Sequence, residues 1–267
     1  MWASGPVTLS TGTSGTIPLS LPRKWIGDLL HFARKVPSLP VQRTMELASL
    51  AAIRDQCARK PSWPAIFLKA YAVVCQEIPE LRRSYLARPY ARLWQHAEST
   101  ASVAITRRYR NEDAVFFIKI PAPETRSIRE LDDLLRMHRE APIESVGSYR
   151  RLIRTTRCPR WLRRAIWSIG LNWSGNVRRK FFGTFGMSVY SSTGSDSLHP
   201  ISPLTTLINY GPISGTGSVP VRIVYDHRVM DGPVVAASLR RLEACLVTSV
   251  LEELRSESSD EPRLRAA

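Results

Sequence analysis

The 267-residue sequence predicts an α/β protein, a two-layer sandwich in which helices cover a mixed β-sheet. Two patterns carry that expectation. Apolar residues recur at helical spacing over 43–59, 65–77 and 128–140, whereas alternating or continuous β-branched and aromatic runs occupy 101–106, 114–120, 181–191, 205–211 and 219–227. These helices and strands interleave without the regular strand-helix-strand cadence of a doubly wound sheet, so a mixed sheet is the expected arrangement.

Residues 1–16 are rich in Ser, Thr and Gly and carry no apolar period, which predicts a flexible leader before a domain that begins near Ile17. Two helices are expected over 43–59 and 65–77, punctuated by the segment KPSWP, and Pro79 ends the second. Strands at 101–106 and 114–120 then precede a helix over 128–140. Its start is signalled by Ser127 as N-cap with Glu130 three residues on, the spacing of a capping box. Residues 148–180 combine many arginines with Trp161, Trp167 and Trp173. A helical insertion whose tryptophans pack onto the domain is the expected reading, ahead of a membrane-surface role. Three further strands lead to a final helix over 233–254, and 256–267 is expected to be a flexible tail, so that the catalytic domain would span 17–255.

Composition narrows the function classes. No run approaches the roughly 20 apolar residues of a membrane-spanning helix, and the first residues lack the basic start and apolar core of a secretory signal, so a cytoplasmic protein is expected. Cys57, Cys75, Cys158 and Cys245 are widely spaced without a nearby histidine, which predicts free thiols and no metal site. The formal net charge of +15 and pI of about 10.3 favour anionic partners of some kind. No recognition motif accompanies the charge, so a nucleic-acid partner is not expected.

The chemistry concentrates in VPVRIVYDHRVMDG, residues 219–232. With a period of two, Val219, Val221, Ile223, Tyr225 and His227 share one strand face, and His227 emerges at the strand's end. A histidine on that apolar face is expected to be partly desolvated and neutral, the form a general base requires. Asp231 follows four residues later, and Gly232 can make the turn into the last helix. A lone histidine before an Asp-Gly turn would be an ordinary core residue, so the whole string decides the matter. His31, His96, His138 and His199 have no spaced partners and are expected to be structural or surface residues.

The string Asp226-His227-Arg228-Val229-Met230-Asp231-Gly232, H-R-x-x-D-G between a strand and an amphipathic helix, resembles the active-site motif of the chloramphenicol acetyltransferase superfamily. The match is to the version found in the dihydrolipoyl acyltransferase catalytic cores of 2-oxoacid dehydrogenase complexes. GTFGMS at 183–188 is similar to the strand that carries a transition-state hydroxyl there, with Ser188 in the matching place. LHPISPLTTLINYGPI at 198–213 looks like the following Pro-rich loop and strand, and 64–82 looks like the long helix with its Pro-Glu-Leu stop, so the likeness runs from about Leu19 to Leu246.

The resemblance implies a chloramphenicol acetyltransferase-like fold and an enzyme that moves an acyl group from a coenzyme A thioester to a hydroxyl, thiol or amine. His227 would be the general base, Ser188 the donor to the oxyanion, and Asp231 the residue that holds the loop, with Arg23 a candidate for its salt-bridge partner. It also implies a homotrimer with Ser188 and His227 contributed by different subunits. Transfer from an acidic acyl carrier protein is an alternative, and a noncatalytic trimeric scaffold is another; retention of His227, Asp231, Gly232 and Ser188 together separates catalysis from scaffolding. Three departures stand out: no lipoyl or subunit-binding domain is expected within these 267 residues, Gly186 replaces a frequent Thr, and 148–180 is longer than the corresponding loop.

Overall fold

The computed structural model describes residues 14–189 and 194–264. The elements run α1 (Leu21–Ala33), β1 (Ser38–Glu46), α2 (Ala48–Gln56), α3 (Trp63–Glu77), β2 (Arg83–Leu86), β3 (Arg92–Gln95), β4 (Thr100–Tyr109), β5 (Glu112–Pro121), α4 (Ile128–Glu140), α5 (Gly147–Thr156), α6 (Arg160–Asn172), α7 (Gly175–Phe181), β6 (Phe185–Met187), β7 (Thr206–Tyr210), β8 (Ser218–Asp226), α8 (Gly232–Val247) and α9 (Ser249–Leu264). Six strands form a mixed sheet in the order β1-β8-β7-β6-β4-β5, and β2 pairs with β3 separately. β4, β6 and β7 run parallel to one another; the remaining pairs are antiparallel. The mixed two-layer α/β expectation holds.

α3 lies across the middle of the sheet because almost every residue of WPAIFLKAYAVVCQE is small or apolar, and nine of its fifteen residues are buried. Phe67 stacks on Tyr210 of β7 at 4.1 Å, and Tyr71 meets Phe185 of β6 edge-on while its hydroxyl donates to Thr206 Oγ1 at 2.9 Å. On the same face β8 presents Val219, Val221, Ile223 and Tyr225, the set that the two-residue period selected. α8 packs on α3, β1 and β8, so the helix after the motif is part of this layer. The Ser127–Glu130 capping box is formed: Ser127 Oγ accepts from Glu130 N at 3.1 Å and Glu130 Oε2 accepts from Ser127 N at 2.9 Å.

Three expectations are corrected, and one helix was not anticipated. Arg43–Glu46 lies in strand β1 and not in a helix; only 48–56 is helical. β1 is an edge strand exposed along most of its length, so no alternation marks it in the sequence. Leu21–Ala33, which carries no strong signal beyond its Ser20 cap, is a helix with Trp25 buried against Tyr109 and Phe116. The final helical region is two helices, broken at Thr248, and α9 continues to Leu264, past the expected boundary at 255. In the insertion, Trp167 packs between Phe32 and Phe182, but Trp161 and Trp173 remain exposed, so tryptophan packing is only partly realised.

Two buried charges tie the insertion down. Asp28 of α1 accepts from Arg163 Nε at 2.5 Å and Arg164 Nε at 2.9 Å. Arg178 of α7 donates to the carbonyls of Tyr85, Leu171 and Pro203, which joins four segments around one guanidinium. Burial lowers Arg178 to about 10, so it stays charged at neutral pH.

His96 is buried beside this region, with Nε2 3.0 Å from Ser84 Oγ. Burial first, then Arg178, Arg179 and Arg82, lower its imidazole from 6.5 to about 4. Above 6.5 the ring is neutral whether the chain is folded or not. Between about 6.5 and 4 the unfolded chain takes up a proton that the folded chain refuses. Stability is therefore expected to fall with pH across that window, by at most about 1.4 kcal/mol per unit from this group. Urea unfolding of His96→Gln should show a flatter pH dependence there, and an unchanged slope would clear His96 of the effect.

Candidate active site

His227 follows the last residue of β8. The strand ends at Asp226, whose backbone N–H bonds to Thr205 O, and the chain then turns through a Val229 N to Asp226 O bond of 3.0 Å. His227 N–H donates to Pro37 O at 3.1 Å, which stitches the turn to the start of β1. On either side of the histidine, Asp226 and Arg228 form a bidentate pair at 2.9 and 2.7 Å, with the Asp226 carboxylate buried. The Arg228 guanidinium lies 4.2 Å above the Tyr85 ring. Val229 and Met230 bury their side chains in the core. The residues flanking His227 are thus all anchored, and the imidazole is held at the rim of the sheet.

Asp231 stands at the N-cap position of α8, its side chain making no capping bond, with Pro233 in the first turn. Its Oδ1 lies 3.3 Å from His227 Nδ1, close enough to orient the ring. Tyr225 packs 5.6 Å from the same ring, and burial together with the Asp231 carboxylate raises its phenol. Two expectations change here. The His227 side chain is 45% exposed and that of Asp231 77%, so the chain by itself does not desolvate the imidazole. Arg23 does not reach Asp231; it lies 3.9 Å from Glu112 at the far edge of the sheet.

Ser188 follows β6, and its N–H bonds to Ile208 O at 3.2 Å. It lines a cavity of about 600 Å³ between the second face of the sheet and the helices α1, α5, α6 and α7. The wall is mainly apolar, with Leu29, Phe117, Trp167, Phe182, Ile201 and Leu207 among its residues. Gly186 is also on this face: a Cβ there would stand 2.8 Å from Leu207 Cδ1, so a threonine would displace the leucine.

The register separates the two candidate residues within one chain. Met187 pairs with Ile208, and Ile208 pairs with Ile223 across the antiparallel step. Ser188 is therefore level with Arg222, and His227 lies five residues further along β8. At ~3.3 Å per residue and ~4.8 Å per strand, the two are about 17 Å apart along the sheet and about 10 Å across it. No side chain bridges that gap.

Asp226, Arg228 and Arg178 were not singled out from the sequence as positioning residues, although the first two lie inside the motif. Strand alternation does place Asp226 on the face opposite Tyr225, where a carboxylate needs a buried partner. Among the described residues there is no cluster of three or more His, Cys, Asp or Glu side chains that could hold a metal ion. None of the described helices is long and apolar enough to cross a membrane.

A mixed six-stranded sheet in this strand order, with α3 and α8 packed on one face, is the chloramphenicol acetyltransferase-like fold. Solved structures bear this out. The Azotobacter vinelandii dihydrolipoamide acetyltransferase superposes with a TM-score of 0.65 at 17% identity, covering 94% of this chain and 100% of that one. The cubic core of the pyruvate dehydrogenase multienzyme complex gives 0.65 at 18% identity over 94% and 100%. A chloramphenicol acetyltransferase gives 0.51 at 14% identity over 85% and 98%. No family model matches the chain, and no curated protein does.

Proposed function

We propose that this chain is an acyltransferase that moves an acyl group from a coenzyme A thioester to a hydroxyl, thiol or amine. The observation that carries this reading is the fixed turn holding His227 at the sheet rim with Asp231 against its Nδ1, in a fold shared with acyltransferases. In the proposed step, His227 Nε2 takes the acceptor's proton as the acceptor attacks the thioester carbonyl. The tetrahedral oxyanion receives a hydrogen bond from Ser188 of a neighbouring protomer. Collapse breaks the carbon–sulfur bond, and the departing thiolate takes the proton back from the imidazolium.

Assembly into a homotrimer answers the two geometric facts that one chain leaves open. It would bring a second chain's Ser188 to His227 across the gap of the sheet, and it would cover the exposed imidazole. The cavity beside Ser188 would then hold the acceptor, while the donor's phosphates suit the basic surface.

The test is release of free thiol from acetyl-, octanoyl- and palmitoyl-coenzyme A, each offered with a panel of alcohols, thiols and amines. Acceptor-dependent release is expected from at least one pair. Absence of release from every donor, with an acyl carrier thioester included, would overturn the assignment.

A further inference from the structure

The cavity next to Ser188 is not purely apolar. Lys119, Arg151 and Lys180 line it, and among the described residues its wall contains no carboxylate. Lys119 lies on the cavity face of β5, partly buried, and its ammonium reaches the Phe117 carbonyl at 3.5 Å and lies 5.9 Å from the centre of the Phe117 ring. Arg151 and Lys180 lie over the ring of Phe181 at 5.1 and 5.8 Å. Among the described residues, none of the three has an acidic partner. Arg151 and Lys180 are exposed, so water screens them, whereas Lys119 is the partly buried member, and a cation held in an apolar wall without a counter-ion is costly.

We propose that the cavity binds an amphipathic anion, a molecule with an apolar body and one carboxylate or phosphate, and that Lys119 is the residue that selects the charged end. The substrate class follows from that pairing and rests on the reading of the cavity as the acceptor side of the transfer site. The volume of about 600 Å³ falls within the range of ~300–1,000 Å³ usual for small-molecule pockets. The sheet register adds a constraint on the acceptor. Lys119 pairs with Ser102, and Ser102 with Gly186, so Lys119 and Ser188 stand two strands and two residues apart on one face. That is about 12 Å between backbones, which puts the anionic group well clear of the reacting atom, roughly one short aliphatic chain away. Burial and the nearby Arg151 lower Lys119 to about 8, as expected for an ammonium awaiting a counter-ion.

The experiment is calorimetric titration of the intact protein, without any thioester, with dodecanoate, dodecyl phosphate and dodecanol. Because no turnover is involved, failure of the acyl-transfer assignment and failure of this proposal are distinguishable. Either anion is expected to bind at least about tenfold more tightly than the alcohol, which has the same chain. Tighter binding of dodecanoate assigns a carboxylate head and tighter binding of the phosphate a phosphorylated one. Lys119→Met should abolish the preference while keeping dodecanol binding, and Lys119→Arg should retain it. Dodecanol binding also reports that the Lys119→Met cavity is folded; should that variant not fold, wild type and Lys119→Arg decide by the anion-to-alcohol ratio alone. The proposal is overturned if wild type binds none of the three, binds dodecanol as tightly as the anions, or keeps its preference in Lys119→Met.

Discussion

His227→Ala is expected to lose a factor of roughly 10²–10⁴ in acyl transfer, the usual contribution of a positioned general base. The loss should fall on kcat, since the imidazole is needed only as the acceptor's proton moves. The folded state should be almost unaffected. His227 is nearly half exposed, and only its backbone N–H, which alanine retains, holds the turn to Pro37. Thiol release and urea unfolding measured on the same preparation separate the two effects. A variant with undiminished turnover would remove His227 from the mechanism.

The second expectation concerns where the site is completed. Ser188→Ala and His227→Ala proteins should each be nearly inactive, the serine variant by about 10²–10³ if its hydroxyl is the oxyanion donor. When both chains are co-expressed, some interfaces pair the intact serine of one with the intact histidine of the other. For random trimers that is half times half, so about a quarter of the wild-type rate should return. A site built within a single chain predicts no recovery. Co-expression that leaves the mixture as inactive as its components, with mixed trimers demonstrated by mass, would exclude the shared site.

The part of the fold that was legible in the sequence is the part where one physical pattern acted alone. β8 could be recognised because alternate residues face the helical layer without interruption from Val219 to Tyr225. The start of α4 could be recognised because the Ser127–Glu130 box uses only neighbours in sequence. β1 was hidden because an edge strand exposed on both faces has no reason to alternate, and its Arg43–Glu46 end runs into α2 through the buried Met45 and Leu47.

The candidate site divides the same way. The positions of His227 and Asp231 in the fold were legible because the strand period ends at His227 and the Asp-Gly turn opens α8, whereas Ser188 was singled out only by its likeness to a family strand. The exposure of His227 was not legible, because strand alternation fixes the face a side chain takes and not whether anything lies over it. Lys119 was passed over as one polar residue in an apolar strand. Its importance comes from α5, α6 and α7, whose residues lie about 30 to 60 positions away in sequence and close the cavity over it.

On the proposed roles of Ser188 and His227, their separation also constrains how copies meet. Each protomer would then carry two unlike half-sites, one at each end of its sheet. An open chain of copies would leave an idle half at each end, whereas a closed assembly makes as many complete sites as there are protomers. On that reading, closure of the assembly and full catalytic occupancy are the same event.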